Sequence, residues 1–197
     1  MTDGSKLEWR TRILTARRRR DHIARERASQ ALSHAVEKLV RQARTAGTLT
    51  VAAYVPVGTE PGGVSMLDAA LSAGVRVILP IARRPGPMFW AEYRGPDSLV
   101  PAEHGLREPA GPILPPETVT EATMLLIPAL AVDLAGGRLG RGAGFYDRTL
   151  HAVDPGASLI AVVYDDEVVG VLPTEAHDVR MTHVLTPGGG VRALGQE

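Results

Sequence analysis

The sequence predicts an α/β protein with a three-layer architecture, in which a mostly parallel sheet follows an N-terminal helical segment. Three observations support this fold class: short apolar runs that suit buried strands, helical patterns between those runs, and an arginine-rich stretch without proline at the start. Strands that alternate with helices are typical of a parallel sheet covered on both faces. We expect residues 1–197 to form one domain, with a helical segment at 1–47 and an α/β core at 48–197.

Helical features come first along the chain. Ser5 followed by Glu8 matches a capping box, in which the two residues exchange side chain to backbone hydrogen bonds at the start of a helix. Apolar residues recur at helical spacing as far as Ala43, and Gly47 stands where a glycine would end a helix. The pattern predicts either one long helix or two consecutive helices with a break near Asp21.

The rest of the chain is predicted to alternate between strands and helices. Helical spacing predicts helices at Val64–Ala73 and Phe145–Val153, and the first of these completes a β–α–β unit whose crossover we expect to be right-handed. Proline and glycine predict loops at Pro56–Gly63, Arg94–Thr123 and Gly136–Gly144. The predicted strands are Leu49–Val55, Val75–Pro80, Met88–Tyr93, Met124–Pro128, Leu159–Tyr164 and His183–Leu185.

Composition and charge narrow the class of protein. Apolar residues make up 44% of the chain and charged residues 22%, which is ordinary for a globular protein. Lysine plus arginine and aspartate plus glutamate both number 22, and a dedicated nucleic-acid binder usually shows a basic excess. The absence of cysteine excludes disulfides, cysteine-ligated zinc and a cysteine nucleophile. No apolar run approaches the ~18 residues of a membrane span and no secretory signal is visible, so we expect a cytoplasmic protein.

The strongest local signal is a glycine-rich segment that ends in Tyr146 and Asp147. Five glycines occur in the nine positions from Gly136 to Gly144, and arginines interrupt and follow them. Glycines let the backbone approach a ligand closely, and a helix that starts just after them would direct its positive dipole end to the same point. The segment therefore predicts a phosphate-binding loop, with a mobile surface loop as the alternative. It matches neither a Walker A loop nor a dinucleotide-binding fingerprint.

Acidic residues near this loop are candidate metal ligands. Asp147 closes the glycine-rich segment, and Asp178 lies in a polar stretch before the last predicted strand. Magnesium is usually held by one or two carboxylates together with substrate phosphates and water. A role for either aspartate as a cap or turn residue is the alternative.

Further charged residues could face a ligand. Glu60 follows the first predicted strand, and ligands of open α/β sheets bind at the carboxyl ends of strands, although an exposed loop acid would look the same. Lys6 and Arg10 are four residues apart, so they share a helix face from which they could reach phosphates. The run 17–20 spreads arginines around the helix, and we expect it to be solvated. Residues 1–10 contain few apolar side chains, so we expect their removal to leave the fold intact.

Classical catalytic triads find little support. The sequence has no Gly-x-Ser-x-Gly elbow, and its six histidines show no His-x-x-x-His pair of the kind that binds zinc on a helix. His177 and His183 flank Asp178, which leaves a histidine-containing metal site as a minor alternative.

Taken together, these segments resemble the 5-formyltetrahydrofolate cyclo-ligase family, the methenyltetrahydrofolate synthetases. The resemblance covers nearly the whole chain, and its most specific part is the run from the glycines to Tyr146 and Asp147. The matching segments in chain order are Lys6-x-x-x-Arg10, the loop with Glu60, Gly105–Pro109, Ile127–Asp133, Arg138–Arg148 and Pro173–Asp178.

The resemblance implies a sheet like that of the sugar-phosphate isomerase and CoA-transferase group. It also implies an ATP- and Mg²⁺-dependent ring closure of 5-formyltetrahydrofolate, with or without a polyglutamate tail, to 5,10-methenyltetrahydrofolate. In the family, ATP phosphorylates the formyl oxygen, N10 attacks the activated carbon, and phosphate leaves. The protein then needs no nucleophile of its own. The resemblance implies neither a membrane nor a nucleic acid as a partner, and we expect a monomer.

The resemblance also assigns residues to roles. ATP contacts fall on Lys6, Arg10, Arg138, Leu139, Gly140, Arg141, Gly142, Ala143, Gly144, Phe145 and Tyr146. Folate contacts fall on Val55, Glu60, Arg141, Gly142, Gly144, Phe145 and Tyr146. The catalytic residues would be Glu60, Arg141 and Tyr146, and the magnesium ligands Asp147 and Asp178.

Three positions depart from the commoner family pattern. Val132 stands where the family often has phenylalanine, which is a packing change. Ala143 stands where glycine or lysine is common, so no polar side-chain contact is available there. Phe145 replaces the first tyrosine of a Tyr-Tyr pair, and it removes a hydroxyl but keeps a face for stacking.

Two other classes of function remain open on the sequence. One is an enzyme of the same fold group that acts on a sugar phosphate or a CoA ester without turning over ATP. The other is a protein without catalytic activity that binds RNA through the arginine-rich helix or sequesters folate.

Overall fold

A computed structural model describes residues 4–44, 49–81, 86–175 and 178–195. It contains four α-helices among these residues: α1 (Lys6–Arg19), α2 (His22–Ala43), α3 (Val64–Ser72) and α4 (Phe145–Leu150). The strands are β1 (Thr50–Ala52), β2 (Arg76–Ile81), β3 (Phe89–Glu92), β4 (Leu99–Pro101), β5 (Arg107–Pro109), β6 (Met124–Pro128), β7 (Ala131–Asp133), β8 (Arg138–Leu139), β9 (Ser158–Val162), β10 (Val168–Val169), β11 (His183–Thr186) and β12 (Gly190–Ala193).

The central sheet has seven strands in the order β12-β11-β9-β6-β1-β2-β3. Its inner pairs are all parallel, whereas β12 and β3 run antiparallel at the two edges. All six strands predicted from apolar runs are present, although β1 is shorter than predicted. The edge strand β12 was not predicted, because its glycine and arginine give no apolar run.

Side chains of this sheet alternate between two apolar clusters, as the pleat of a strand requires. On β6, Leu126 packs with α2 and α3 on one face, while Leu125 and Ile127 pack with the 3₁₀ helix Pro116–Glu121 and with α4 on the other. The largest apolar side chains of both clusters are fully buried, and each contributes about 1.5–3 kcal/mol to the free energy of folding. The sheet is therefore the middle of the three predicted layers.

The N-terminal segment forms two helices. The capping box is present: the Ser5 hydroxyl accepts from the Glu8 N–H, and the Glu8 carboxylate accepts from the Ser5 N–H at 2.7 Å. The break also occurs where expected, because the Asp21 carboxylate caps α2 by accepting from the Ala24 N–H at 2.7 Å. Gly47, the expected helix terminator, lies outside the described residues.

A second, three-stranded sheet in the order β10-β7-β8 lies against α1. Trp9 and Ile13 of α1 form an apolar cluster with Leu139 and Leu172. This cluster places α1 beside the glycine-rich segment, since β8 is part of that segment.

Two predicted loops contain short regular elements. The stretch 94–123 includes the β4–β5 hairpin and three 3₁₀ helices, and the glycine-rich segment begins as the β7–β8 hairpin. Strands of two or three residues are too short to show an alternating pattern, so proline and glycine dominated the prediction. None of the helices that the structure describes is both long and apolar enough to span a bilayer.

Candidate active site

The candidate site lies at the carboxyl edge of the parallel strands. The chain leaving β1 leads to Glu60, the chain leaving β6 leads into the β7–β8 hairpin, and the chain leaving β9 leads to Glu167. Because parallel strands end at the same edge, these segments meet there, and open α/β sheets bind ligands at this edge. Helix α1 covers the same edge, since the Arg17 Nη2 donates to the Ala129 carbonyl just after β6 at 2.6 Å.

Glu60 and Arg141 are in direct contact. The Glu60 Oε1 lies 2.9 Å from the Arg141 Nε, and the Glu60 Oε2 accepts from the Val57 N–H at 3.0 Å. The Glu60 side chain is 11% exposed and that of Arg141 50% exposed. The contact joins the loop after β1 to the glycine-rich segment, so it brings together two of the residues expected to meet folate.

Two tyrosines lie near the Glu60 carboxylate. Burial raises the pKa of Tyr146, and the negative charge of Glu60 raises it further while Arg138 opposes the shift. Burial also raises the pKa of Tyr54, again with help from Glu60, and the Tyr54 hydroxyl donates to the Pro61 carbonyl at 2.8 Å. Both phenols therefore stay protonated at neutral pH and can donate hydrogen bonds. Tyr54 was not among the expected site residues, although its place at the end of an apolar run next to Val55 could have suggested it.

Arg10 of α1 faces the glycine-rich segment, and Lys6 of the same helix faces the stretch before β11. The Arg10 Nε donates to the Gly140 carbonyl at 3.0 Å, and a Cβ at Gly142 would lie 3.3 Å from the Arg10 guanidinium carbon. Gly142 has a φ of 97°, so a side chain there would be strained as well as crowded. The Lys6 Nζ lies 2.8 Å from the Glu175 Oε1 and 3.1 Å from the Asp178 Oδ2.

The first glycines of the segment serve the hairpin. A Cβ at Gly136 would lie 2.4 Å from the Met181 carbonyl oxygen, and one at Gly137 would lie 2.6 Å from the Asp133 Oδ2. The Asp133 Oδ1 also accepts from the Gly137 N–H at 2.7 Å, which closes the β7–β8 turn. These two glycines are therefore needed for close contacts within the chain, whether or not a ligand is bound.

The two aspartates expected to hold magnesium are paired with different cations. Asp147 accepts from the Arg138 guanidinium, which is nearly buried and lies 5.7 Å from the centre of the Tyr146 ring. Asp178 pairs with Lys6 and also accepts from the Glu175 N–H at 2.8 Å. Among the described residues, no group of three or more histidine, cysteine, aspartate or glutamate side chains is arranged to hold a metal ion. This donor set does not suit a cation held by protein alone, but it suits Mg²⁺ that arrives with phosphates, which needs only one or two carboxylates.

The expectation that the arginine run is solvated is wrong at Arg17 and Arg20. Arg17 is 0% exposed, and its Nε and Nη2 each lie 2.7 Å from one oxygen of the Glu167 carboxylate. Burial alone would lower the pKa of Arg17, but the hydrogen bonds and the charge of Glu167 outweigh it and raise that pKa. Arg20 is half-buried, pairs with Asp166 and stacks over the Tyr164 ring at 4.1 Å. Only Arg18 and Arg19 of the run are exposed.

The remaining expected residues are distributed around this centre. Val55 packs at the margin of the main core, Leu139 is buried against α1, and Ala143 is exposed. Phe145 starts α4 half-buried, with the Arg148 guanidinium over its ring at 5.2 Å. Gly144 caps α4 in the left-handed conformation. His177 lies outside the described residues, whereas the other histidine near Asp178, His183, lies in β11 with its Nδ1 2.8 Å from the Thr182 hydroxyl.

Comparison with known proteins identifies the family. The model of the 5-formyltetrahydrofolate cyclo-ligase family matches residues 2–187. A 5-formyltetrahydrofolate cyclo-ligase from Mycolicibacterium smegmatis is 51% identical, over 98% of this chain and 100% of the relative. One from Escherichia coli is 26% identical, over 87% of this chain and 96% of the relative.

Solved structures agree with the fold. The NMR structure of Aquifex aeolicus 5,10-methenyltetrahydrofolate synthetase superimposes with a TM-score of 0.75 at 26% identity, covering 98% of this chain and 94% of that chain. A 5,10-methenyltetrahydrofolate synthetase from Mycoplasma pneumoniae matches the fold with a TM-score of 0.70 at 20% identity, covering 92% of this chain and 98% of that chain. The family model spans nearly the whole sequence, and the first of these relatives shares half of its residues; the chain belongs to the 5-formyltetrahydrofolate cyclo-ligase family.

Proposed function

We propose that this protein catalyses the ATP-dependent cyclisation of 5-formyltetrahydrofolate to 5,10-methenyltetrahydrofolate, with release of ADP and phosphate. The observation that carries the proposal is that the family model spans residues 2–187, a range that includes every residue assigned below. A cytoplasmic location and a monomeric state belong to the same proposal, as does acceptance of polyglutamylated folate.

The nucleotide would bind between α1 and the glycine-rich segment. Lys6 and Arg10 supply positive charge from α1, and residues 138–146 supply Arg138, Arg141 and backbone N–H groups. The support is that the Arg10 Nε already contacts the Gly140 carbonyl at 3.0 Å, which keeps the helix and the segment within reach of one ligand. Arg148 is not proposed to contact the nucleotide, because its guanidinium stacks on Phe145 and donates to the Gly86 and Ala143 carbonyls.

Folate would bind where Glu60, Arg141 and Tyr146 meet. Glu60 is suited to accept hydrogen bonds from substrate N–H groups, because its Oε2 is already fixed by the Val57 N–H. Tyr146 is suited to donate a hydrogen bond to an oxygen at the reacting centre, because burial and Glu60 raise its pKa. Val55, Gly142, Gly144 and Phe145 would complete the contacts.

The formyl oxygen of the substrate is a poor leaving group, so the reaction requires that it be activated. Transfer of the γ-phosphoryl group of ATP to the formyl oxygen turns that oxygen into part of a phosphate ester. The N10 lone pair then attacks the formyl carbon, the carbon–oxygen bond breaks, phosphate leaves, and N10 loses its proton. The protein supplies positioning and charge stabilisation, which is the usual contribution of a protein to phosphoryl transfer.

Asp147 and Asp178 are the residues that would hold Mg²⁺. When bound there, the ion supplies positive charge against the phosphate oxygens. Arg138 and Lys6 form ion pairs with the same two carboxylates.

The alternatives lose support at specific residues. An RNA-binding arginine face is disfavoured because Arg17 is buried on Glu167 and Arg20 is paired with Asp166. An enzyme of the same fold group that does not turn over ATP would release no ADP. The products of the reaction therefore distinguish it from the proposed cyclo-ligase.

The test is an assay of the purified protein with ATP, Mg²⁺ and 5-formyltetrahydrofolate at neutral pH. We expect the absorbance of methenyltetrahydrofolate to appear with one ADP released per product molecule. Reactions without protein and without ATP are the controls for spontaneous ring closure. Methenyl formation that consumes no ATP, or the absence of turnover by a folded protein, would overturn the proposal.

A further inference from the structure

The charged residues of the site are paired with each other. Lys6 pairs with Asp178, Arg138 with Asp147, and Arg141 with Glu60. In each pair the cation is one that we assign to the nucleotide, although Arg141 is also assigned to folate, and the carboxylate is one that we assign to the metal or to folate. Binding of the ligands must therefore exchange ion pairs, in addition to filling a space.

The Arg141–Glu60 pair is the one that joins the two substrates. The Glu60 Oε2 is fixed by the Val57 N–H at 3.0 Å, and its Oε1 faces the Arg141 Nε at 2.9 Å. The departure of Arg141 would free the Oε1 without releasing the loop, because the backbone hydrogen bond remains. Arg141 is half exposed but Glu60 is only 11% exposed, so breaking their pair has a free-energy cost. The first ligand to bind meets this cost for the second, which couples the two binding events.

Other groups stay near Glu60 when Arg141 leaves. Arg17 interacts electrostatically with Glu60, and the bidentate contact with Glu167 together with full burial holds Arg17 in place. Tyr54 and Tyr146, which also face Glu60, are neutral phenols. Without Arg141, Glu60 would therefore have one carboxylate oxygen available to a ligand, with the Arg17 charge still nearby.

We infer that Arg141 couples the two substrates: nucleotide phosphates draw Arg141 away from Glu60, and the freed Glu60 oxygen then accepts hydrogen bonds from folate N–H groups. A phosphate competes well for arginine, since it offers more negative charge than a carboxylate and accepts bidentate hydrogen bonds. Nucleotide and folate therefore bind with positive cooperativity, and each ligand tightens the binding of the other by the same factor. This inference rests on the proposed function.

Calorimetric titration measures the coupling directly. The probes are 5-formyltetrahydrofolate and, to prevent turnover, the non-hydrolysable imido analogue of ATP with Mg²⁺. We expect the analogue to tighten folate binding by roughly 5–150-fold, the usual range for coupled sites, and folate to tighten analogue binding by the same factor. In Arg141→Met the affinity for folate measured with the ATP analogue should equal the affinity measured without it, within error. This equality is expected whatever contact Arg141 itself makes with folate.

Matched variants separate coupling from loss of charge. Arg180→Met removes an exposed arginine that donates to the Ala135 carbonyl at 2.9 Å, away from Glu60, and should retain the wild-type coupling. Combining Arg141→Met with Glu60→Gln should change the coupling no further than Arg141→Met alone, because both act through one contact. Thermal melts establish that each variant is folded.

The outcomes distinguish the two proposals. If wild-type protein binds both ligands but binds them independently, or if Arg141→Met retains the coupling, the inference is overturned and the proposed function stands. If wild-type protein binds neither ligand, both proposals fail.

Discussion

Two arginines show how burial determines what an ion pair does. Arg17 and Glu167 have side-chain exposures of 0% and 5%, whereas Arg141 beside Glu60 is 50% exposed. Taking charges out of water costs several kcal/mol per ion, so a buried pair persists only when hydrogen bonds compensate much of that cost. The Glu167 carboxylate and the Ala129 carbonyl accept from the Arg17 Nε and Nη2, whereas the buried Nη1 has no hydrogen-bond partner among the described residues. The Arg141–Glu60 pair is open on its arginine side, where water or a ligand can take over the hydrogen bonds of Arg141, while Glu60 itself is 11% exposed. The first pair is therefore suited to holding the fold and the second to changing partners.

Replacement of Glu60 tests the role of its charge. In Glu60→Gln the amide oxygen can still accept from the Val57 N–H, so the loop should keep its shape. Losing one charged hydrogen-bond partner costs about 1.5–3 kcal/mol, or more in a desolvated site, so we expect kcat/KM for folate to fall roughly 10–1000-fold.

The measurement is steady-state kinetics with folate varied at saturating ATP. Binding of the nucleotide alone should not weaken, because Arg141 loses only a competitor for phosphate. Unchanged folate kinetics in Glu60→Gln would mean that Glu60 is only a surface acid of its loop.

At the scale of elements, α1 carries three functions on one stripe of its surface. Lys6, Arg10, Ile13 and Arg17 are spaced by four, three and four residues, which places them along one face of the helix. Lys6 and Arg10 face the proposed ligand site, Ile13 packs on the small sheet, and Arg17 is buried on Glu167. We expected residues 1–10 to be dispensable for the fold, but Trp9 is buried in the apolar cluster that also contains Ile13. Removing these residues would therefore remove part of that cluster. Point variants are therefore the better test.

Variants along this stripe should separate binding from stability. Lys6→Met breaks pairs with Asp178 and the exposed Glu175, which are worth about 0–1 kcal/mol, so the melting temperature should barely change while KM for ATP rises. Arg17→Met leaves Glu167 buried without its partner, which typically costs about 3–5 kcal/mol. Arg19→Met removes an exposed arginine from the same helix and should change neither property.

Urea unfolding and ATP kinetics on the three variants provide the measurement. The double variant Arg17→Met, Glu167→Met should recover much of the stability lost by Arg17→Met, since an apolar pair can replace a buried ion pair. An Arg17→Met protein as stable as wild type would show that the buried pair does not anchor α1.

At the scale of the whole molecule, the sequence indicated the sheet and the edge proposed to bind ligands, but not how α1 attaches to them. The apolar run Met124–Pro128 is bounded by a polar residue and ends in proline, so this strand could be predicted to the residue. The bounds of the other five predicted strands differ from those of the structure by one to three residues. The β7–β8 hairpin could not be predicted, because its strands are too short to show a period and its glycines looked like a ligand loop. Arg17 could not be recognised as buried, since its partner Glu167 lies 150 positions away and no local pattern links them. The pairing of Glu60 with Arg141 could not be predicted for the same reason. Each residue could be assigned to a ligand from the sequence, but their contact exists only in the folded chain.

The proposed magnesium site depends on the same long-range assembly. Asp147 belongs to α4 and is held by Arg138 of β8, whereas Asp178 comes from the chain before β11 and is held by Lys6 of α1. If both carboxylates act through one ion, their losses should not add. Independent distant sites add within about 0.5 kcal/mol, whereas coupled ones deviate by ~0.5–3 kcal/mol. We therefore expect Asp147→Asn combined with Asp178→Asn to lose clearly less transition-state stabilisation than the sum of the single losses.

The measurement is kcat/KM for ATP in the four proteins, with Mg²⁺ titrated in each. Excess Mg²⁺ should partly rescue each single variant, because one remaining carboxylate and the ATP phosphates still offer ligands. The structure adds an internal control. Asp178→Asn leaves Lys6 paired with Glu175 alone, and Lys6→Met combined with Asp178→Asn restores the charge balance without restoring a magnesium ligand. Rescue by Mg²⁺ should therefore be no stronger in that double variant than in Asp178→Asn. Strict additivity without any rescue by Mg²⁺ would mean that the two aspartates do separate work, one of them as the structural partner of its arginine or lysine.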